Sequence, residues 1–139
     1  VAKRKRTNLI ILHCSASDYR DQDADWIRKI HVKERGWLDI GYHFFIPFDG
    51  TIQAGRHVQD IGSHCYGHNQ ESVGICLAGL TRFTEPQFFS LGGLLKLMKS
   101  LYPTATLHGH REFNPGKSCP IFDYSDFVYA WRKPVSPKN

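Results

Sequence analysis

No stretch of the chain approaches the roughly 18 consecutive apolar residues that a membrane-crossing helix needs. The first apolar run, Leu9-Ile10-Ile11-Leu12, stops at His13 and is too short for the core of a secretory signal. Synthesis in the cytoplasm, without membrane insertion, is therefore expected. Repeats and low-complexity segments are also missing. The four cysteines, Cys14, Cys65, Cys76 and Cys119, are scattered through 139 residues, which suits thiols or metal ligands better than a disulfide framework. Neither Cys-x-x-Cys nor His-Glu-x-x-His occurs, so a metal site would have to be assembled by the fold rather than by one local motif.

Acidic residues are absent from both ends. Residues 1–7 and 132–139 hold seven of the 18 bases, which leaves 11 bases against 13 acids between them. The overall charge of +5 thus belongs to the ends, and the body is slightly acidic. A folded surface built to grip a nucleic-acid duplex is excluded, while the ends suit anionic polymers of any kind. The expected organisation is a basic N-terminal arm at 1–7, one domain at 8–132 and a flexible C-terminal tail at 133–139.

What is present is a globular composition, 41% apolar with 22% charged residues, enough to bury a core in a single domain. Asn8–Cys14 and Ser72–Ala78 are continuous apolar runs, the pattern of strands buried on both faces. Asp23 is an N-cap for a helix running to about Arg35, with Trp26, Ile27, Ile30 and His31 on one stripe and Gly36 as the stop. Tyr42–Phe48 and Thr51–Ala54 flank Asp49-Gly50, which predicts a two-residue hairpin turn. Residues 55–71, rich in glycine and histidine, read as a functional loop. Thr84-Glu85-Pro86-Gln87 has capping-box spacing and opens a helix to about Leu101. A strand over 104–109, a loop over 110–122 and a helix capped by Asp123 complete the order β-α-β-β-β-α-β-α. The fold class is α/β: a single domain, a central mixed β-sheet with helices packed on it.

Among eight histidines, His13 and His110 close buried strands, and Cys119 follows nine residues after His110. Two imidazoles and a thiolate can hold a catalytic zinc ion and leave a fourth position for water. Each of the three also has an ordinary reading as a core or surface residue. His108 competes with His110, because residues two apart on a strand face the same side. Cys14 and Cys76 lie inside apolar runs and read as small core residues.

The order of His13-Cys14-Ser15-Ala16, Gly36-Trp37-Leu38-Asp39-Ile40-Gly41-Tyr42-His43-Phe44, Asp49-Gly50-Thr51, Ala54-Gly55-Arg56, Gly62-Ser63-His64, Ser72-Val73-Gly74-Ile75-Cys76-Leu77, Gly109-His110-Arg111-Glu112 and Lys117-Ser118-Cys119-Pro120 resembles one family. It is that of the zinc-dependent N-acetylmuramoyl-L-alanine amidases of short bacteriophage lysozymes (endolysins), related to animal peptidoglycan recognition proteins. The likeness covers about residues 8–127. It implies zinc ligands at His13, His110 and Cys119, favouring His110 over His108. It implies catalytic roles for Tyr42 and Lys117. The stretch from His110 to Cys119 is one residue longer than the commoner phage spacing, and Asn114-Pro115-Gly116 can absorb the extra residue as a turn.

The implied reaction is hydrolysis of the amide between N-acetylmuramic acid and the L-alanine of the stem peptide. Zinc would activate water and polarise the carbonyl, Lys117 would hold the oxyanion, and Tyr42 would donate to the carbonyl or pass a proton. His64, Asn69 and Arg56 are candidates for the substrate groove, and Arg56 and Arg111 for stem-peptide carboxylates. On a regular strand His43 points away from Tyr42, so a structural or supporting role stands beside a direct one. His31, His57 and His68 read as structural or exposed. The implied setting is a monomeric lysis enzyme, made in the host cytoplasm and acting on peptidoglycan once the membrane is breached. Alternatives are a non-catalytic peptidoglycan-binding protein, or an amidase that also regulates a phage RNA polymerase, as some short relatives do.

Overall fold

The apolar run at the start of the body forms β1 (Leu9–Cys14), and it lies inside the sheet with a parallel neighbour on each side. A strand buried that way has no solvent face, which is why its residues do not alternate. In this computed structural model residues 2–134 are described. The remaining elements are α1 (Ala24–Lys29), β2 (Phe44–Ile46), β3 (Gln53–Ala54), β4 (Ser72–Leu77), α2 (Glu85–Leu101), β5 (Thr106–Gly109) and α3 (Ser125–Arg132). The strand order is β3-β2-β4-β1-β5; only β3 runs antiparallel to its neighbour.

One face of the sheet carries Ile10, Leu12, Val73, Ile75, Leu77 and Leu107 and is covered by α2 and α3 through Leu91, Leu94, Leu95, Met98 and Trp131. The other face carries Phe45, Cys76 and Ala78 under Ala24 and Ile27 of α1. α1 is short, so it covers only part of that face. The capping box at Thr84 is formed, with Thr84 accepting from the Gln87 N–H and Gln87 bonding back. Gln87 then spends its amide nitrogen on the carbonyls of Ile46 and Ala78, 3.0 and 2.8 Å away, tying α2 to the sheet. No helix among the described residues is long and apolar enough to cross a membrane.

Three expectations are corrected. The N-terminal segment is not a free arm over its described part. Ala2, Lys3 and Arg4 pair with Gln59–Ile61, and Lys3 Nζ lies 3.0 Å from Asp60 Oδ1. The Arg4 guanidinium packs 5.6 Å over the Tyr102 ring. Backbone pairing and charge complementarity dock what composition alone reads as solvated. The hairpin is looser than a two-residue turn: β2 and β3 pair only at Phe44–Ala54 and Phe45–Gln53, and the chain turns through Pro47–Gly50. The helix begun at Asp23 widens into a π-helical turn over Ile30–Glu34 before Gly36 ends it at φ +70°. Of the tail expected at 133–139, residues 135–139 lie outside the described residues.

Candidate active site

β1, β4 and β5 are parallel, so their carboxyl ends open at one edge, where open α/β sheets place their ligands. His13 is in register with Cys76 of β4, and Leu12 with Gly109 of β5. The next residue after Gly109 is His110, so His13 and His110 emerge side by side, their ring centroids 4.6 Å apart. The loop beyond His110 folds back: the Arg111 N–H donates to the Cys119 carbonyl at 2.8 Å, and the Cys14 N–H donates to Cys119 Sγ at 2.9 Å. Asn114–Lys117 closes as a turn, with the Lys117 N–H 2.9 Å from the Asn114 carbonyl. One ligand atom each from His13, His110 and Cys119 lies within 4.8 Å of the others. His108 is one strand step back and is held by Thr106 and Glu112 at 2.6 and 2.8 Å; it is not part of the group.

The donor set fits a divalent transition metal. Burial pushes the His13 pKa well below its usual value, and burial followed by the Lys117 charge lowers that of His110, so both imidazoles are neutral and able to coordinate. His13 uses Nε2 on His64 Nδ1 at 2.8 Å, and no protein group among the described residues bonds its Nδ1. Contact with the Cys14 thiol and burial push the Cys119 thiol up, while the Cys14 N–H pulls the other way. A bound cation reverses such a shift and takes the sulfur as thiolate.

The trio sits in a cleft of about 500 Å³. Its lining contains no aspartate or glutamate and two cations, Arg35 and Lys117. Tyr42 lies against His13, ring centroids 5.0 Å apart. Burial, then the neighbouring Cys76 and Cys119, raise its pKa well above the usual tyrosine value, which keeps it a hydroxyl donor. Lys117 is exposed at the cleft. Asn69 lines the cleft, but its Oδ1 is taken by the N–H groups of His64 and Cys65 at 2.9 and 3.0 Å, so its role in shaping the loop is direct.

Arg56 is not in the cleft. It is 8% exposed, and its guanidinium is held by the carbonyls of Ile40, Ile61 and Asp39 at 3.1, 2.8 and 3.5 Å. Too many backbone acceptors surround it for a substrate carboxylate to compete. Arg111 is likewise elsewhere, 4.8 Å over the Tyr124 ring. His64 lines the cleft but is 8% exposed and bonded behind His13. His43 is held structurally: it accepts from the Gly74 N–H at 3.0 Å and donates to the Asp60 carbonyl at 2.7 Å. Two cleft-lining residues are not singled out by the sequence: Arg35, which reads there as the end of a helix, and Tyr66, which is 96% exposed. An exposed aromatic inside a glycine-rich loop was the available signal for the latter.

With this geometry in place, comparison with known proteins gives a consistent result. The sequence profile of the N-acetylmuramoyl-L-alanine amidase family matches residues 3–122. The chain is 42% identical over 130 residues to an endolysin of Escherichia phage T7, covering 87% of this chain and 85% of that protein. Among solved structures it is similar to N-acetylmuramoyl-L-alanine amidase LysC from Clostridium intestinale URNW, with TM-score 0.80 and 29% identity over 94% of this chain and 91% of that one. It is also similar to Drosophila PGRP-LB, with TM-score 0.77 and 29% identity over 86% and 78% of the two chains.

Proposed function

The chain belongs to the N-acetylmuramoyl-L-alanine amidase family, and from that premise we propose a zinc-dependent amidase of the phage endolysin type in which His13, His110 and Cys119 hold the ion. The substrate is peptidoglycan, and the bond cleaved joins the lactyl carbonyl of N-acetylmuramic acid to the amino group of L-alanine. The observation that carries the reading is the convergence of the three ligand atoms within 4.8 Å on a cleft lined by cations and no carboxylate.

Zinc supplies activation of water near neutral pH and polarisation of the scissile carbonyl. Two neutral imidazoles and one thiolate would leave a bound divalent ion with a net charge of about +1, so that it would stay electrophilic. Lys117 places its ammonium at the same cleft and stabilises charge that develops on the carbonyl oxygen. Tyr42, kept protonated by its burial, donates a hydrogen bond to that oxygen or passes a proton to the departing alanine nitrogen. Arg35 and Lys117 attract the carboxylates of the stem peptide, and the exposed ring of Tyr66 offers a face to the glycan. In the lysis role, the enzyme is made in the host cytoplasm and meets its substrate after the membrane is permeabilised.

Digestion of purified sacculi tests this. The expected products are new L-alanine amino termini without new reducing sugar ends, abolished by a chelator and restored by zinc. Tight binding without release would support the receptor alternative instead, and new reducing ends would mean a glycosidase.

A further inference from the structure

A buried polar chain starts at the His13 imidazole and runs away from the cleft. His13 Nε2 lies 2.8 Å from His64 Nδ1, His64 Nε2 lies 3.1 Å from Ser72 Oγ, and Ser72 Oγ lies 2.7 Å from the His68 carbonyl. A carbonyl only accepts, so the last link fixes the direction of all the others. Ser72 donates its hydroxyl proton to His68 and must accept from His64. His64 therefore carries its proton on Nε2 and accepts at Nδ1. His13 in turn must carry its proton on Nε2, which leaves Nδ1 as a lone pair aimed out of the chain.

We infer that His64 is a positioning residue, locked by Ser72, that holds His13 in the one tautomer and orientation able to take a metal through Nδ1. The inference rests on the metal-site reading above. Two glycines make the seat for it. A Cβ on Gly74 would lie 2.5 Å from His64 Cγ, and one on Gly62 would lie 2.8 Å from His64 Cδ2. The imidazole is thus laid against strand β4 with side-chain space removed around it. The partner is also chemically specific. A carboxylate at this place, the common support for a ligating imidazole, would cancel the net charge of the centre. A neutral imidazole fixes the tautomer and leaves the charge intact.

This moves His64 from the substrate groove to the support of the metal centre, and it has readouts that need no peptidoglycan. In the metal-stripped full chain with ¹⁵N-labelled histidine, long-range ¹H–¹⁵N correlations are expected to show both His13 and His64 protonated at Nε2. A proton on Nδ1 of His13 would overturn the inference. Zinc affinity, read by competition with a chromophoric chelator, is expected to fall about 10–100-fold in His64→Phe and by a smaller factor in Ser72→Ala. His64→Asn can present Oδ1 where Nδ1 stood, and it is expected to recover most of the loss. Wild-type affinity in a folded His64→Phe variant, or an Asn variant no better than Phe, would also overturn it. Should a variant fail to fold, the tautomer measurement on the wild-type chain still decides. If sacculi remain uncut while these results hold, it is the amidase reading that fails and not this one.

Discussion

The backbone N–H of Cys14 donates to the sulfur of Cys119 across 2.9 Å, so the strand that carries His13 also holds the thiol from the loop 105 residues later. That hydrogen bond comes from the main chain of Cys14 and survives the loss of the Cys14 thiol, which also touches the Cys119 sulfur. Cys14→Ala is therefore expected to keep the metal, at a stability cost of about 1 kcal/mol for a small, 5% exposed core group. Cys119→Ser is expected to lose both metal and amidase activity while retaining its melting behaviour in the metal-free state. Metal analysis of the two purified variants checks this, and a metal-loaded, active Cys119→Ser would reject the ligand assignment.

Lys117 is exposed at the cleft, close enough to His110 for its charge to lower that pKa. In the proposed reaction its ammonium would offer charge to the transition state and no lone pair to the ion. Lys117→Ala is expected to retain full metal content and to lose about 10²-fold in kcat, the usual scale for removing one oxyanion donor. Metal content and single-turnover rates separate the two effects. Loss of metal in proportion to activity would contradict the role.

Two histidines outside the proposed ligand set contribute to acid stability. His31 and His43 are 4% and 1% exposed, and each is lowered to about 4. Burial is the main cause for both, reinforced at His31 by Arg35 and Arg56 and at His43 by Arg4 and Arg56. Their unfolded value is near 6.5. Between those two values the unfolded chain binds more protons than the folded one, so stability is complete above about pH 6.5 and declines as the pH falls towards 4. The ceiling is on the order of 3 kcal/mol per histidine. Urea midpoints across this range should fall steadily with acidification, and less steeply in His43→Gln. A flat profile would show that these imidazoles are not held neutral.

The sheet and its edge were legible because burial on both faces writes itself directly as the runs 8–14 and 72–78, and because capping at Asp23 and Thr84 is local chemistry. The three ligand candidates were legible as polar residues placed where apolar runs end. What sequence could not resolve was direction. His108 and His110 share a strand parity, and only the turn after Gly109 sends one to the cleft and the other to Glu112. His64 reads as a loop residue until the absence of a side chain at Gly74 is seen to make room for it. The same holds for the arginines. A charged side chain in a loop carries no mark of whether carbonyls or solvent will surround it.

Arg56 and Arg35 turn that difference into a measurement. Arg56 fills a buried site, with three backbone carbonyls as its acceptors. Removing it leaves them unpaired, so Arg56→Ala should destabilise the fold by about 2–4 kcal/mol while the folded fraction keeps its KM. Arg35 is exposed, packs 5.2 Å over the Trp37 ring and lines the cleft. Arg35→Ala should leave the urea midpoint unchanged and raise KM about 5-fold for stem peptides with free carboxylates, the scale of one solvent-exposed ion pair. With amidated stem peptides the same variant should differ little from wild type, because the charge it met is gone. A KM shift in Arg56→Ala with no loss of stability would put the buried arginine back among the substrate contacts and refute the division of labour drawn from their surroundings.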